Sequence, residues 1–257
     1  METFADYILG EKELSAKMEI TYYLAKKRKI FFDKSIVFKT EIARIFLNYL
    51  QTDLDKNLIL TACLLCNCKK VELAQNLERL QSYAKDGAEY LFSIGFDKRF
   101  CKICEEVNRY SNSNPREKES DILELVDQFG GMLLDRPERI GMDPEEAIVL
   151  LQYRNLKDKF NRYLESFINF INDLQKVKYK DKVEITPLKE LVNLYNQTED
   201  EKQFITALVY EFEPNIDDLL ENKLGKNSNA LAKGNPNRAL FSEETTKKVM
   251  MRLNLED

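Results

Sequence analysis

The chain has 257 residues, room for one large domain or two small ones, and its 8 glycines and 6 prolines fall well below average usage, which favours long helices. Its 39 basic and 44 acidic side chains leave a net charge of −5, and this argues against nucleic-acid or other bulk phosphate binding, which needs an excess of Lys and Arg. Histidine is absent, which excludes every mechanism built on an imidazole, from Ser-His-Asp and Cys-His nucleophiles to HExxH zinc sites.

The first residues, Met1 to Asp6, carry no basic n-region and no apolar h-region. The longest apolar stretch, Leu58–Leu65, is interrupted by Thr61 and falls far short of the ~20 residues that span a bilayer. No membrane partner and a cytoplasmic location are therefore expected. In that setting the five cysteines are reduced, and their odd number argues further against a disulfide framework.

Along the chain, Lys26-Lys27-Arg28-Lys29 sits between Tyr22-Tyr23-Leu24 and Ile30-Phe31-Phe32. The run reads as a solvated helix end, where cations favour the negative pole of the dipole; contact with phosphate is the alternative. Cys63-x-x-Cys66-x-Cys68 and Cys101-x-x-Cys104 have spacings that can hold zinc or an iron–sulfur cluster. Their apolar flanks, as in Thr61-Ala62-Cys63-Leu64-Leu65-Cys66, instead favour a buried helix face. Ser111-Asn112-Ser113-Asn114-Pro115 reads as a turn between helices.

Asp143-Pro144-Glu145-Glu146 predicts a helix start. Its continuation carries Phe160, Tyr163, Leu164, Phe167, Ile168, Ile171 and Leu174 on one apolar face, so a single helix is expected through Leu174. Dense charge from Lys176 to Glu184 marks a boundary. It gives a main domain of residues 1–175 and a helical extension of 176–257 with a flexible loop at 226–237. Within the extension, Thr198-Glu199-Asp200-Glu201 has the form of a capping box opening a helix through Leu208, and Ser242-Glu243-Glu244 opens a last helix ending near Leu253. Two-residue alternation is nowhere sustained, and the fold class expected is all-α.

The segment from Asp121 through Asp127, Asp135-Arg136-Pro137-Glu138-Arg139 and Asp143-Pro144-Glu145-Glu146-Ala147 resembles the HD-GYP branch of the HD-domain phosphohydrolases. Upstream, Gly87-Ala88-Glu89-Tyr90-Leu91 and Leu64-Leu65-Cys66-Asn67-Cys68-Lys69-Lys70 fall where that family has further signature helices, and the resemblance spans roughly residues 36–174. It implies a bacterial-type, HD-domain-like helical bundle, whose active members hold two or three metals on His and Asp side chains and hydrolyse phosphodiesters. Here the ligand positions fall on Phe38, Cys66, Asn67, Tyr83 and the stretch Glu106-Val107-Asn108, and of the expected ligands only Asp127 is kept unchanged. Aromatic rings and a neutral amide do not hold a dinuclear metal cluster.

The resemblance therefore implies a catalytically inactive regulatory or interaction module, without cofactor, with a protein partner or self-association. Two alternatives remain open at this stage. One is a nucleotide- or anion-binding pocket built from Asn67, Lys70, Glu106, Asn108 and Asp127. The other is a phosphohydrolase with a rebuilt metal site drawn from Cys66, Cys68, Cys104, Glu106 and Asp127. With the metal lost, Lys70 is the cation expected to neutralise Asp127 and to hold three helices in register.

Overall fold

Short polar side chains set most helix starts. Asp33, Asp55 and Asp97 each accept a hydrogen bond from the backbone N–H three residues on, at Ile36, Leu58 and Phe100. Thr3 and Asp6 form a reciprocal capping box. Thr186 caps a helix whose first residue is Pro187. The computed structural model describes residues 3–50, 52–70, 77–107, 115–135, 139–158, 161–177, 185–224 and 238–254. Of the described residues 75% are helical and none is in a strand, as an all-α class requires.

The helices in chain order are α1 (Phe4–Gly10), α2 (Leu14–Arg28), α3 (Lys34–Tyr49), α4 (Lys56–Leu65), α5 (Leu77–Ser93), α6 (Lys98–Glu105), α7 (Lys118–Leu133), α8 (Pro144–Asp158), α9 (Leu164–Lys176), α10 (Pro187–Gln197), α11 (Glu201–Ala207), α12 (Glu213–Leu224) and α13 (Glu243–Asn254). Helix α3 is the axis of the fold. Every residue from Ile36 to Asn48 is buried, because α4, α7, α9, α10 and α11 all pack around it. A helix buried on all sides must pair its charges. Arg44 does so with two hydrogen-bonded contacts, to Glu41 at 2.7 Å and to Asp217 of α12 at 2.8 Å, and thereby ties α12 to the axis.

Helices on both sides of residue 176 share one buried cluster. Leu188, Phe204, Ile216 and Val249 belong to it together with Phe38, Phe46 and Phe129. The final helix returns to the N-terminal region: Lys27 donates to the carbonyl of Leu253, and the Tyr23 and Thr246 hydroxyls share a hydrogen bond. Lys27 thus belongs to the fold, at the basic end of α2, where Lys29 closes the helix in the left-handed conformation.

Two expected boundaries shift. The single helix through Leu174 is two helices, α8 and α9. The break is fixed by Asn161, which donates to the Asp121 carbonyl and accepts from the Tyr163 N–H, and by Arg162, which pairs with Asp121 at 2.7 Å. Phe160 lies outside the described residues. The capping residue of α11 is Asp200, which accepts from the N–H of Gln203, whereas the Thr198 hydroxyl donates backwards to Leu194 and Tyr195 and closes α10. After α11 the backbone widens into a π-helical turn over Leu208–Phe212. Pro214 follows, and it has no N–H to give the Tyr210 carbonyl, so a regular α-helix cannot run through. The expected last helix is α13, with the Ser242 hydroxyl accepting from Thr245 N–H. Residues 111–114 of the expected turn and the whole loop at 226–237 lie outside the described residues.

Candidate functional site

Helix α7 buries Ile122, Leu125, Val126 and Phe129 against the core, the one-face spacing read from the sequence. Asp127 stands at the edge of that face, its side chain 24% exposed. Its Oδ1 receives two donors. One is the ammonium of Lys39, on α3, at 2.8 Å; the other is the amide Nδ2 of Asn67, just beyond α4, at 3.0 Å. The carboxylate thus joins α3, α4 and α7 at one point. Burial pushes its pKa upward, but the charges of Lys39 and Lys70 and the two hydrogen bonds outweigh it, and the carboxyl is held well below the usual carboxylate range.

The local backbone explains how each partner arrives. Asn67 sits in a tight turn after α4, where its carbonyl accepts from the Lys70 N–H and the carbonyl of Cys68 accepts from Phe31 N–H. Lys39 reaches across α7 over Gly130. A Cβ at that glycine would lie 2.8 Å from the Lys39 Cγ, so the missing side chain opens the groove for the lysine stem. Lys39 itself is only 6% exposed.

The cation in contact is therefore Lys39, where the sequence pointed to Lys70. Lys70 acts on Asp127 through space, with its ammonium 5.8 Å from the Phe31 ring. The carboxylate does join three helices, but α3 enters through Lys39, which was not among the expected neighbours Lys70, Asn67 and Asn108. Lys39 does not stand out in the sequence because the stretch from Ile36 to Phe46 also carries Thr40, Glu41 and Arg44 and reads as an ordinary amphipathic helix. Only the burial of every side of the helix shows that each of its charges needs a partner.

Glu106 does not join this cluster. Its Oε2 accepts from the Glu117 N–H and the Ser120 hydroxyl, both at 2.8 Å, so it secures the start of α7. Ser120 lies seven residues before Asp127, about 10 Å along the helix. Asn108 lies outside the described residues. Phe38 is fully buried, edge-on to Tyr195 at 5.7 Å, and Tyr83 lies on α5.

All five cysteines are free and buried, as the core reading expects. Burial pushes the thiols up, to about 12 for Cys68 and about 11 for Cys101, and further for Cys63, Cys66 and Cys104. The Cys66 and Cys68 thiols point to the carbonyls of Cys63 and Gly87. Among the described residues no three Cys, Asp or Glu side chains are placed to hold a metal, so the rebuilt centre from Cys66, Cys68, Cys104 and Asp127 is not assembled. Two or three metals on the ligand positions of the resemblance do not fit this donor set either. One position is a buried phenyl ring, Asn67 turns its amide to Asp127, and an ammonium already holds the carboxylate.

The stretch after α7 has a structural use. Arg139 donates to the carbonyls of Gly131 and Met132 at the helix end, the Asp135 carboxylate accepts from Gly141 N–H, and Met142 N–H returns to the Met132 carbonyl. A Cβ on Gly141 would come within 2.2 Å of the Leu133 carbonyl oxygen, so only glycine fits the turn. Arg136 and Pro137 lie outside the described residues. A groove of about 360 Å³ runs between this turn and α10, and neither Asp127 nor Lys39 is among its walls. Compared with known proteins, the chain matches no family model, no curated protein and no solved structure. No helix among the described residues is long and apolar enough to cross a membrane.

Proposed function

We propose that this chain is a catalytically inactive, HD-GYP-like domain that works as a cytoplasmic regulatory or protein-interaction module, of bacterial type. The observation that carries the reading is the Lys39–Asp127–Asn67 cluster. At Asp127, the one expected ligand kept unchanged, the carboxylate spends its charge on a lysine of the same chain. A fixed ammonium supplies charge balance and cross-linking, the two structural services of a metal, but it cannot lower the pKa of a bound water or act as a Lewis acid. The scaffold persists on this reading and the hydrolytic chemistry is gone.

Protein purified without chelator is expected to hold well under one equivalent of any transition metal. With manganese or iron added, it is expected to turn over neither cyclic diguanylate nor aryl phosphodiesters. Turnover that disappears in Asp127→Ala would overturn the reading, as would a stoichiometric metal whose removal unfolds the chain.

A further inference from the structure

Tyr22 and Tyr23 of α2 and Phe241, just before α13, meet as the three walls of a corner. Their ring centroids are 5.3, 5.5 and 6.2 Å apart, and the planes cross at 81°, 78° and 60°. The ammonium of Lys202, on α11, lies over all three rings, at 5.2 Å from Tyr22, 6.0 Å from Tyr23 and 5.4 Å from Phe241. Each ring turns the negative face of its quadrupole towards a cation. Charges of both signs surround the corner: the buried carboxylate of Glu19, which Arg238 meets at 3.5 Å, feels Lys202, and Asp200 and Glu201 act on Tyr22. Lys26 approaches Tyr22 as well, at 5.2 Å.

Two details distinguish this corner from ordinary aromatic packing. Among the described residues, the Lys202 ammonium has no hydrogen-bond acceptor and no ion-pair partner, so its direct contacts are with the rings. Rings accept N–H groups poorly, and a primary ammonium is strongly hydrated, so lysine is not the cation this corner suits best. A fully alkylated ammonium has no N–H to satisfy and sheds water at less cost. Secondly, Phe241 holds a left-handed backbone (φ 53°), uncommon for a non-glycine residue, and its N–H is fixed on Glu19. Strain kept in place by a buried carboxylate is the kind retained where a side chain must be aimed.

We propose that Tyr22, Tyr23 and Phe241 form a receptor for a quaternary alkylammonium group, and that Lys202 is its intramolecular occupant, competing for the same place. The ligand class is a trimethylammonium head, free or on a larger molecule. The inference stands apart from the phosphohydrolase resemblance, since none of these residues belongs to the Asp127 cluster.

The test is titration of the full chain with choline at fixed ionic strength, followed by the upfield ring-current shift of the N-methyl proton signal. The neutral carbon isostere of choline serves as control. Lys202→Gln vacates the corner and is expected to bind choline at least about fivefold more tightly than the parent chain. Tyr22→Leu in the Lys202→Gln background is expected to weaken binding by roughly tenfold or more, with helicity retained by circular dichroism. Phe241→Leu serves the same purpose should Tyr22→Leu fail to fold. Equal affinity with and without Lys202, an equal response to the neutral isostere, or no ring-current shift in Lys202→Gln would each overturn the proposal.

Discussion

The ammonium of Lys39 lies 2.8 Å from the Oδ1 of Asp127, and this contact between α3 and α7 is shared by the amide of Asn67. Breaking a fully buried pair costs about 3–5 kcal/mol, and solvent at the partly exposed Asp127 reduces the figure. A urea-unfolding cycle of Asp127→Asn and Lys39→Met is expected to give a coupling of about 1–3 kcal/mol. The same cycle with Lys70→Met is expected to give a smaller value, because Lys70 acts only through space. A larger coupling to Lys70 would reverse the assignment of the partner.

The same pair sets an acid limit. The Asp127 carboxyl is held below its unfolded value of 3.8, so the folded state binds the proton less readily than the unfolded chain. The resulting stability is complete above about pH 4–5 and is lost as pH falls below that range towards the folded-state value. Stability of the parent chain measured from pH 6 down to pH 2 is expected to fall more steeply than that of Asp127→Asn. Parallel curves would show that the pair contributes nothing.

Gly130 offers a separate handle. An alanine in a helix interior gains about 1 kcal/mol over glycine, but the new Cβ would press on the Lys39 Cγ, which is mid-stem and cannot swing aside. Gly130→Ala is expected to destabilise the parent chain. In a Lys39→Ala background the obstruction is gone, and the same change is expected to be neutral or stabilising. A sign that fails to reverse would remove the groove argument.

Arg44 is buried between Glu41 and Asp217. Arg44→Met leaves these carboxylates inside the core without their cation, at an expected cost of about 3–5 kcal/mol. Lysine lacks the planar fork that reaches both acids, so Arg44→Lys is expected to recover little of it. Thermal unfolding of both variants decides the point; near-complete recovery by lysine would show that only charge matters there.

Lys17 is fully buried and donates to the Ile8 carbonyl at 2.5 Å and to the Thr61 hydroxyl at 2.7 Å, linking α1, α2 and α4. Burial lowers its pKa from 10.5 to about 7. Between those values the unfolded chain binds the proton and the folded chain does not, so stability rises with pH across this window, by at most ~1.4 kcal/mol per pH unit. Urea unfolding from pH 7 to pH 10 is expected to show this rise in the parent chain and to lose it in Lys17→Met. A flat profile in the parent chain would mean that the lysine keeps its ordinary pKa.

Composition and local pattern alone determined the helical class, the start of the last helix, the buried setting of Cys63 and Cys66, and the apolar face that carries Asp127. Each depends on residues within a few turns of one another, where helix periodicity and capping chemistry act. The break between α8 and α9 escaped because Asn161 and Arg162 answer to Asp121, forty residues away in the chain. For the same reason the sequence suggested Lys70 as the partner of Asp127 when Lys39 makes the contact. It also grouped Glu106 with Asp127, which lies two turns along α7 from the Ser120 that Glu106 contacts. A lysine's partner is fixed by which helix faces it across the core and by a glycine that leaves room for its stem, and neither is visible until α3 lies against α7. The meeting of Tyr22, Tyr23, Lys202 and Phe241 is of the same kind: three distant stretches of chain, each unremarkable by itself, share one corner because α11 and α13 both pack on α2.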